Sequence, residues 1–200
     1  MATTTALFVI DIQHDLAVDP DIRVPHADRI RAAGAKILST ARAILDAHRP
    51  GASSPPPAFI VFVQHEEQPE QGPLVRDSAP WKLVFEPRTD AEEELLIHKT
   101  TRDTFETNPD LAAMLTASGV KEIIAFGIQS ECCVESTCKG ALEAGFGVTL
   151  LAGAHSTYDA DGSSAVEIER AVEGRLQESG ARIVPWEDAV AAWEEKGQIA

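Results

Sequence analysis

Residues 127–137, Gly127-Ile128-Gln129-Ser130-Glu131-Cys132-Cys133-Val134-Glu135-Ser136-Thr137, hold the strongest chemical signal in the chain. An apolar, strand-like run, Lys121 to Phe126, precedes them, and a helix-like run, Cys133 to Ala144, follows. Cys133 is therefore expected at a strand-to-helix turn, at or near a helix N-terminus. Free backbone N–H groups and the positive end of the helix dipole favour an ionised sulfur there. The same N–H groups can hold an oxyanion when the sulfur attacks a carbonyl. A free thiol attacks poorly, so it also needs a base or a positive field. Asp11, after the run Phe8-Val9-Ile10, can supply the first. Lys99, after Ile97-His98, can supply the second.

The elements that must position these residues alternate between strand and helix. Candidate strands are Ala6–Ile10, Ala58–Gln64, Glu94–His98, Glu122–Phe126, Gly147–Leu151 and Arg182–Val184. Several are almost continuously apolar, as parallel strands covered on both faces are. Candidate helices are Ala27–His48, Asp110–Ser118, Cys133–Ala144 and Ser164–Ser179. In the first, Ile30, Ala33, Ile37, Ala41 and Ile44 recur at helical spacing. Residues 51–57, Gly-Ala-Ser-Ser-Pro-Pro-Pro, read as a loop. The pattern implies an α/β fold: a three-layer αβα, doubly wound, mostly parallel sheet of about six strands with right-handed crossovers. Residues 1–200 read as a single domain. Ligands of such sheets bind at the carboxyl ends of the strands, where Asp11, His65, Lys99 and the Cys133 turn all fall.

Three motifs, in order, resemble those of the isochorismatase-like cysteine hydrolases, over about Leu7 to Asp188. They are Phe8-Val9-Ile10-Asp11-Ile12-Gln13, then Ile97-His98-Lys99 followed by Phe105, then the Gly127–Thr137 stretch. The resemblance implies a Rossmann-like fold and a catalytic triad: Cys133 as nucleophile, Asp11 as general base and later acid, Lys99 as electrostatic partner. It also implies an oxyanion hole from the N–H groups of Gln129 and Cys133, a cis Ile128–Gln129 peptide, and a homodimer or homotetramer. The activity implied is that of a cysteine amidohydrolase cleaving a C–N bond of a small soluble substrate through a thioester.

Substrate-contact candidates are Gln13, His65, Trp81, Phe105 and Cys132. His65 follows the second strand; Trp81 could cover the pocket with a flat apolar face, or pack under the long Gln64–Thr89 loop. Cys132 would line the site or pack beneath it, and Cys138 reads as core. Arg102 could bind a carboxylate or face solvent. His155 and Tyr158 read as a structural loop. The Ala27–His48 and Trp186–Trp193 segments could face a partner subunit. No metal and no cofactor are expected. The nicotinamidase branch of the family holds a metal with an Asp-x-His pair and a second His, whereas this chain reads Gln64-His65-Glu66-Glu67-Gln68, and its six His are scattered.

Bulk properties exclude other classes. The 200 residues carry a formal net charge of −15, which disfavours nucleic acid and anionic membranes as partners. No apolar run approaches the roughly 20 residues of a membrane helix. Met1-Ala2-Thr3-Thr4-Thr5 has no basic segment ahead of an apolar one, so no secretory signal is expected. Three Cys, two of them adjacent, fit reduced thiols in a cytoplasmic setting better than a disulfide framework. Competing readings are an isochorismatase-type vinyl-ether hydrolase, which Cys133 disfavours, a non-catalytic oligomeric binding protein, and a Cys132–Cys133 redox pair.

Overall fold

The computed structural model describes residues 4–48 and 56–200. The expected loop at 51–57 thus falls mostly outside the described residues.

The strands are β1 (Thr4–Ile10), β2 (Ala58–His65), β3 (Glu94–Lys99), β4 (Val120–Ile128), β5 (Gly147–Ser156) and β6 (Arg182–Pro185). They form one sheet in the order β3-β2-β1-β4-β5-β6, and every pairing is parallel. The helices are α1 (His14–Ala17), α2 (Ala27–His48), α3 (Thr104–Thr107), α4 (Leu111–Ala117), α5 (Glu135–Glu143), α6 (Ala165–Glu178) and α7 (Trp186–Lys196). The four-residue α1 and α3, and α7, extend the helices read from the sequence.

Strand periodicity builds the two apolar layers. Side chains alternate between sheet faces, so Leu7 and Val9 of β1 join a core with α2 and α7, while Ala6, Phe8 and Ile10 join one with α4, α5 and α6. The α2 and α7 segments, which the sequence offers as possible partner-facing surfaces, bury apolar residues in their own chain: Ile30, Ile37, Val190 and Trp193 share one cluster. Trp193 is 1% exposed, and its indole N–H donates to the Ala200 carbonyl.

The strand order reverses beside β1, whose neighbours are β2 and β4. That crevice is where open α/β sheets bind ligands. Gly127 makes it possible. It pairs with Ile10 and has φ +143°, and any Cβ there would overlap the Ile10 carbonyl oxygen. The glycine lets β4 run close along the end of β1, so the turn after β4 emerges beside Asp11. Gly127→Ala should therefore lower stability by about 3 kcal/mol, combining backbone strain with overpacking. Chemical denaturation checks this; a wild-type midpoint would show that β1 and β4 can separate freely.

Candidate active site

Three strand ends bring the site together. Asp11 follows β1 with φ 49°, a left-handed conformation that Asp tolerates better than most residues. Its N–H donates to the Val63 carbonyl of β2 at 3.0 Å. Lys99 ends β3 and pairs in register with His65 at the end of β2, so the two side chains lie side by side. Cys133 lies in a π-helical turn, Ser130–Val134, that precedes α5. This corrects the expectation that the cysteine opens the α-helix itself. The turn is fastened by the Gln129 carbonyl, which accepts N–H groups from Cys132 and Val134. π-turns are rare and recur at functional sites. The Ile128–Gln129 peptide is cis.

The Lys99 ammonium is the hub. It is fully buried and donates to His65 Nδ1 at 3.1 Å, the Thr101 carbonyl at 3.2 Å and Cys133 Sγ at 3.2 Å. Those contacts use its three hydrogens. Its Nζ also lies 2.6 Å from Asp11 Oδ2, in an ion pair whose partners are both fully buried. Neither Asp11 oxygen has a hydrogen-bond donor among the described residues. Burial alone would lower the Lys99 pKa, but the neighbouring Asp11 carboxylate and Cys133 sulfur raise it above its usual value. Burial and the Lys99 charge hold His65 below its ordinary value, so its ring is neutral and Nδ1 can accept from the ammonium.

The thiol behaves differently from the thiolate expected at a helix N-terminus. Burial, followed by the Asp11 charge, pushes the Cys133 pKa far above its ordinary 9.0, and Lys99 offsets this only partly. The resting sulfur is therefore a neutral S–H. Ligand atoms of Asp11, His65 and Cys133 lie within 4.8 Å of one another, which puts the ion-paired Asp11 carboxylate within reach of the thiol. Such a trio could in principle hold a metal ion. The Lys99 ammonium already contacts all three, however, and its positive charge opposes a second cation there.

A cavity of about 320 Å³ opens onto these groups, and Asp11, His65, Gln129, Cys132 and Cys133 line it. Three of the candidate contact residues lie elsewhere. Gln13 is fully buried; its amide donates to the His65 and Trp81 carbonyls and accepts the His65 N–H, so it fixes the loop instead of meeting a ligand. Trp81 stacks on His98, ring centroids 5.7 Å apart. Phe105 packs between Phe8 and Phe146 in the core. The motif's Thr137 braces the region from behind: its hydroxyl accepts the Thr104 N–H and meets the Thr104 hydroxyl at 2.9 Å. Cys138 is buried core, as expected.

Sequence reasoning missed several residues. Asp15, Leu16, Glu67, Leu74 and Tyr158 also line the cavity, as does Arg102, which the sequence offered as a carboxylate binder or a solvent-facing residue. Tyr158 reads from the sequence as part of a structural loop. His155, fully buried, links Ser130 Oγ (2.8 Å) to Glu173 (3.2 Å) and so ties the cysteine turn to α6.

A three-layer parallel α/β sheet with a thiol, a carboxylate and an ammonium converging at its strand ends defines the class of protein. Within that class, residues 5–190 match the isochorismatase domain model, and the chain belongs to the isochorismatase family. A streptothricin hydrolase of Streptomyces noursei is 34% identical over 155 residues, 77% of this chain and 55% of that protein. A second from the same organism is 33% identical over 77% of this chain and 50% of its own length. The chain thus spans about half the length of these relatives. The fold matches a cysteine hydrolase from Pseudomonas syringae pv. phaseolicola with TM-score 0.77 at 19% identity, covering 96% and 92% of the two chains. It matches the pyrazinamidase of Pyrococcus horikoshii, solved in complex with zinc, with TM-score 0.65 at 26% identity, covering 90% and 98%. Among the described residues, no helix is long and apolar enough to cross a membrane.

Because the folded protein holds the Cys133 proton more tightly than the unfolded chain, that group's share of stability is full below 9.0 and is lost as pH rises beyond it. The thiolate ultraviolet band, measured as wild type minus Cys133→Ala, should be absent at neutral pH and appear only in strong alkali. A thiolate band at neutral pH would mean that the Lys99 field outweighs burial.

Proposed function

We propose that this protein is a cysteine hydrolase that cleaves a C–N, amide-type bond of a small molecule. The observation that carries this reading is the single buried ammonium in contact with both Asp11 and Cys133. The family match and the names of the relatives, streptothricin hydrolase and pyrazinamidase, support it.

The steps follow from the resting protonation state. As the substrate carbonyl approaches, Asp11 takes the proton from Cys133, and the sulfur forms a bond to the carbonyl carbon. Lys99 stabilises the carboxylate before transfer and the sulfur as charge develops. The carbonyl oxygen becomes an oxyanion, received by the N–H groups of Gln129 and Cys133. Asp11 returns the proton to the nitrogen as the C–N bond breaks and ammonia or an amine leaves. A water, deprotonated by Asp11, then adds to the thioester; the C–S bond breaks, the acid departs and the sulfur recovers its proton. Water enters and nitrogen leaves, so atoms and charge balance without a metal or redox partner. We also propose, from the resemblance alone, that the chain works as a homodimer or homotetramer.

Ammonia release from a panel of primary amides, ureides and lactams tests the proposal, with nicotinamide, a carbamoylated amino acid and a cationic amide included. Cys133→Ala should abolish release, and Asp11→Asn should slow it by roughly 10²–10⁴-fold. Turnover retained in Cys133→Ala would refute the nucleophile.

A further inference from the structure

Between Gln129 and Cys133, the proposed oxyanion donors, lie Ser130, Glu131 and Cys132. The first two are held from outside the turn. Ser130 Oγ meets His155 Nδ1 at 2.8 Å, and the Thr157 hydroxyl donates to Glu131 Oε1 at 2.9 Å. Both partners sit at or just after the end of β5, and Ser130, His155 and Thr157 are fully buried. His155 also engages its other ring nitrogen: Nε2 lies 3.2 Å from Glu173 Oε1 on α6. With both nitrogens bonded, the ring cannot turn without losing a contact. Ser156, between His155 and Thr157, donates to Glu169 Oε1 of α6 at 2.7 Å, and Arg29 of α2 donates to the same oxygen at 2.6 Å. The end of β5 is thus locked to α6 and α2, and it grips the cysteine turn in the next layer. A serine, a histidine and a glutamate in a row also suggest a second nucleophile. Ser130, however, has no solvent exposure and does not line the cavity, so no substrate carbonyl can reach it.

We propose that Ser130, His155 and Glu173 are positioning residues: as a chain from α6 through β5 to the turn, they hold the Gln129 and Cys133 N–H groups where a tetrahedral oxyanion forms. The inference rests on the reading of Cys133 as the nucleophile and of those N–H groups as its oxyanion hole. Such donors work because they are aimed before the charge appears, so a small displacement weakens them while leaving the fold intact. Ser130 directly follows one donor, and its hydroxyl contact therefore sets the path of the chain toward the other. None of the three residues touches the substrate; they act through the backbone of the turn.

Two reactions of Cys133 separate this role from general support of the fold. Acylation by p-nitrophenyl acetate passes through an oxyanion. Alkylation by iodoacetamide does not: sulfur bonds to the methylene carbon as iodide leaves, and the thiol proton goes to solvent. Both rates are measured by peptide mapping at Cys133, with thermal unfolding followed in parallel. Ser130→Ala and Glu173→Ala should slow acylation by roughly tenfold while alkylation changes by less than about twofold. Glu173→Gln, whose amide oxygen still accepts a hydrogen from His155, should recover most of the acylation rate. The Glu173 side chain is 24% exposed, so its variants should fold and decide the matter if Ser130→Ala does not. Equal slowing of both reactions, or a wild-type ratio of the two rates in Glu173→Ala, would overturn the relay. A wild-type Cys133 that takes up iodoacetamide but no acetyl group would refute the nucleophile reading, and the relay with it.

Discussion

The site depends on one buried ammonium. Lys99 and Asp11 are both fully excluded from solvent, and removing two charges from water costs several kcal/mol per ion before their attraction repays it. The surrounding fold supplies the repayment. In-register pairing of β2 and β3 sets His65 beside Lys99, the Thr101 carbonyl takes a third hydrogen bond, and the Thr104–Thr137 contact holds the chain after Lys99 against α5. Gly127 gives the β4 turn its approach to β1, without which Cys133 would not reach the ammonium. Losing either member of the pair would leave the other buried and uncompensated, so the geometry of the site and local stability are bound together.

This arrangement also sets the electrostatics around the sulfur. A helix N-terminus and a nearby cation argue for a resting thiolate, whereas burial beside a carboxylate argues against one. Burial wins, since it is the largest influence on Cys133 and the Asp11 and Lys99 charges largely oppose each other. In the proposed mechanism the Asp11–Lys99 ion pair stands beside the sulfur, and Asp11 takes the thiol proton as a carbonyl arrives.

The sheet was legible because parallel strands buried on both faces are nearly continuous runs of Val, Ile, Leu and Phe; all six appeared, with ends shifted by a few residues. Helices α1 and α3 were not legible, since four residues are too short to show a 3.6-residue period. The Asp11, Lys99 and Cys133 positions could be read because each follows a strand, and strand ends converge on one edge whatever the loops do. Side-chain direction could not be read in this way. Gln13 and Phe105 follow strand ends within a few residues and Trp81 lies in the long loop after β2, yet backbone carbonyls, the Phe8–Phe146 pair and His98 claim them. Conversely, Asp15, Glu67 and Tyr158 reach the cavity through irregular segments whose paths are set by backbone contacts such as His14 N–H to the Lys82 carbonyl and Val84 N–H to that of Ile12. Glu67 alone left a trace, two residues beyond the end of β2.

The most direct test of the central claim is to look for the acyl group itself. The protein is mixed with p-nitrophenyl acetate, an activated ester that bypasses the unknown substrate, then quenched in acid and mapped by mass spectrometry. The expected result is an acetyl group on Cys133, formed quickly in wild type and much more slowly in Asp11→Asn. Acylation of Cys132 in place of Cys133, or a Cys133 that acylates equally fast without the Asp11 carboxylate, would contradict it.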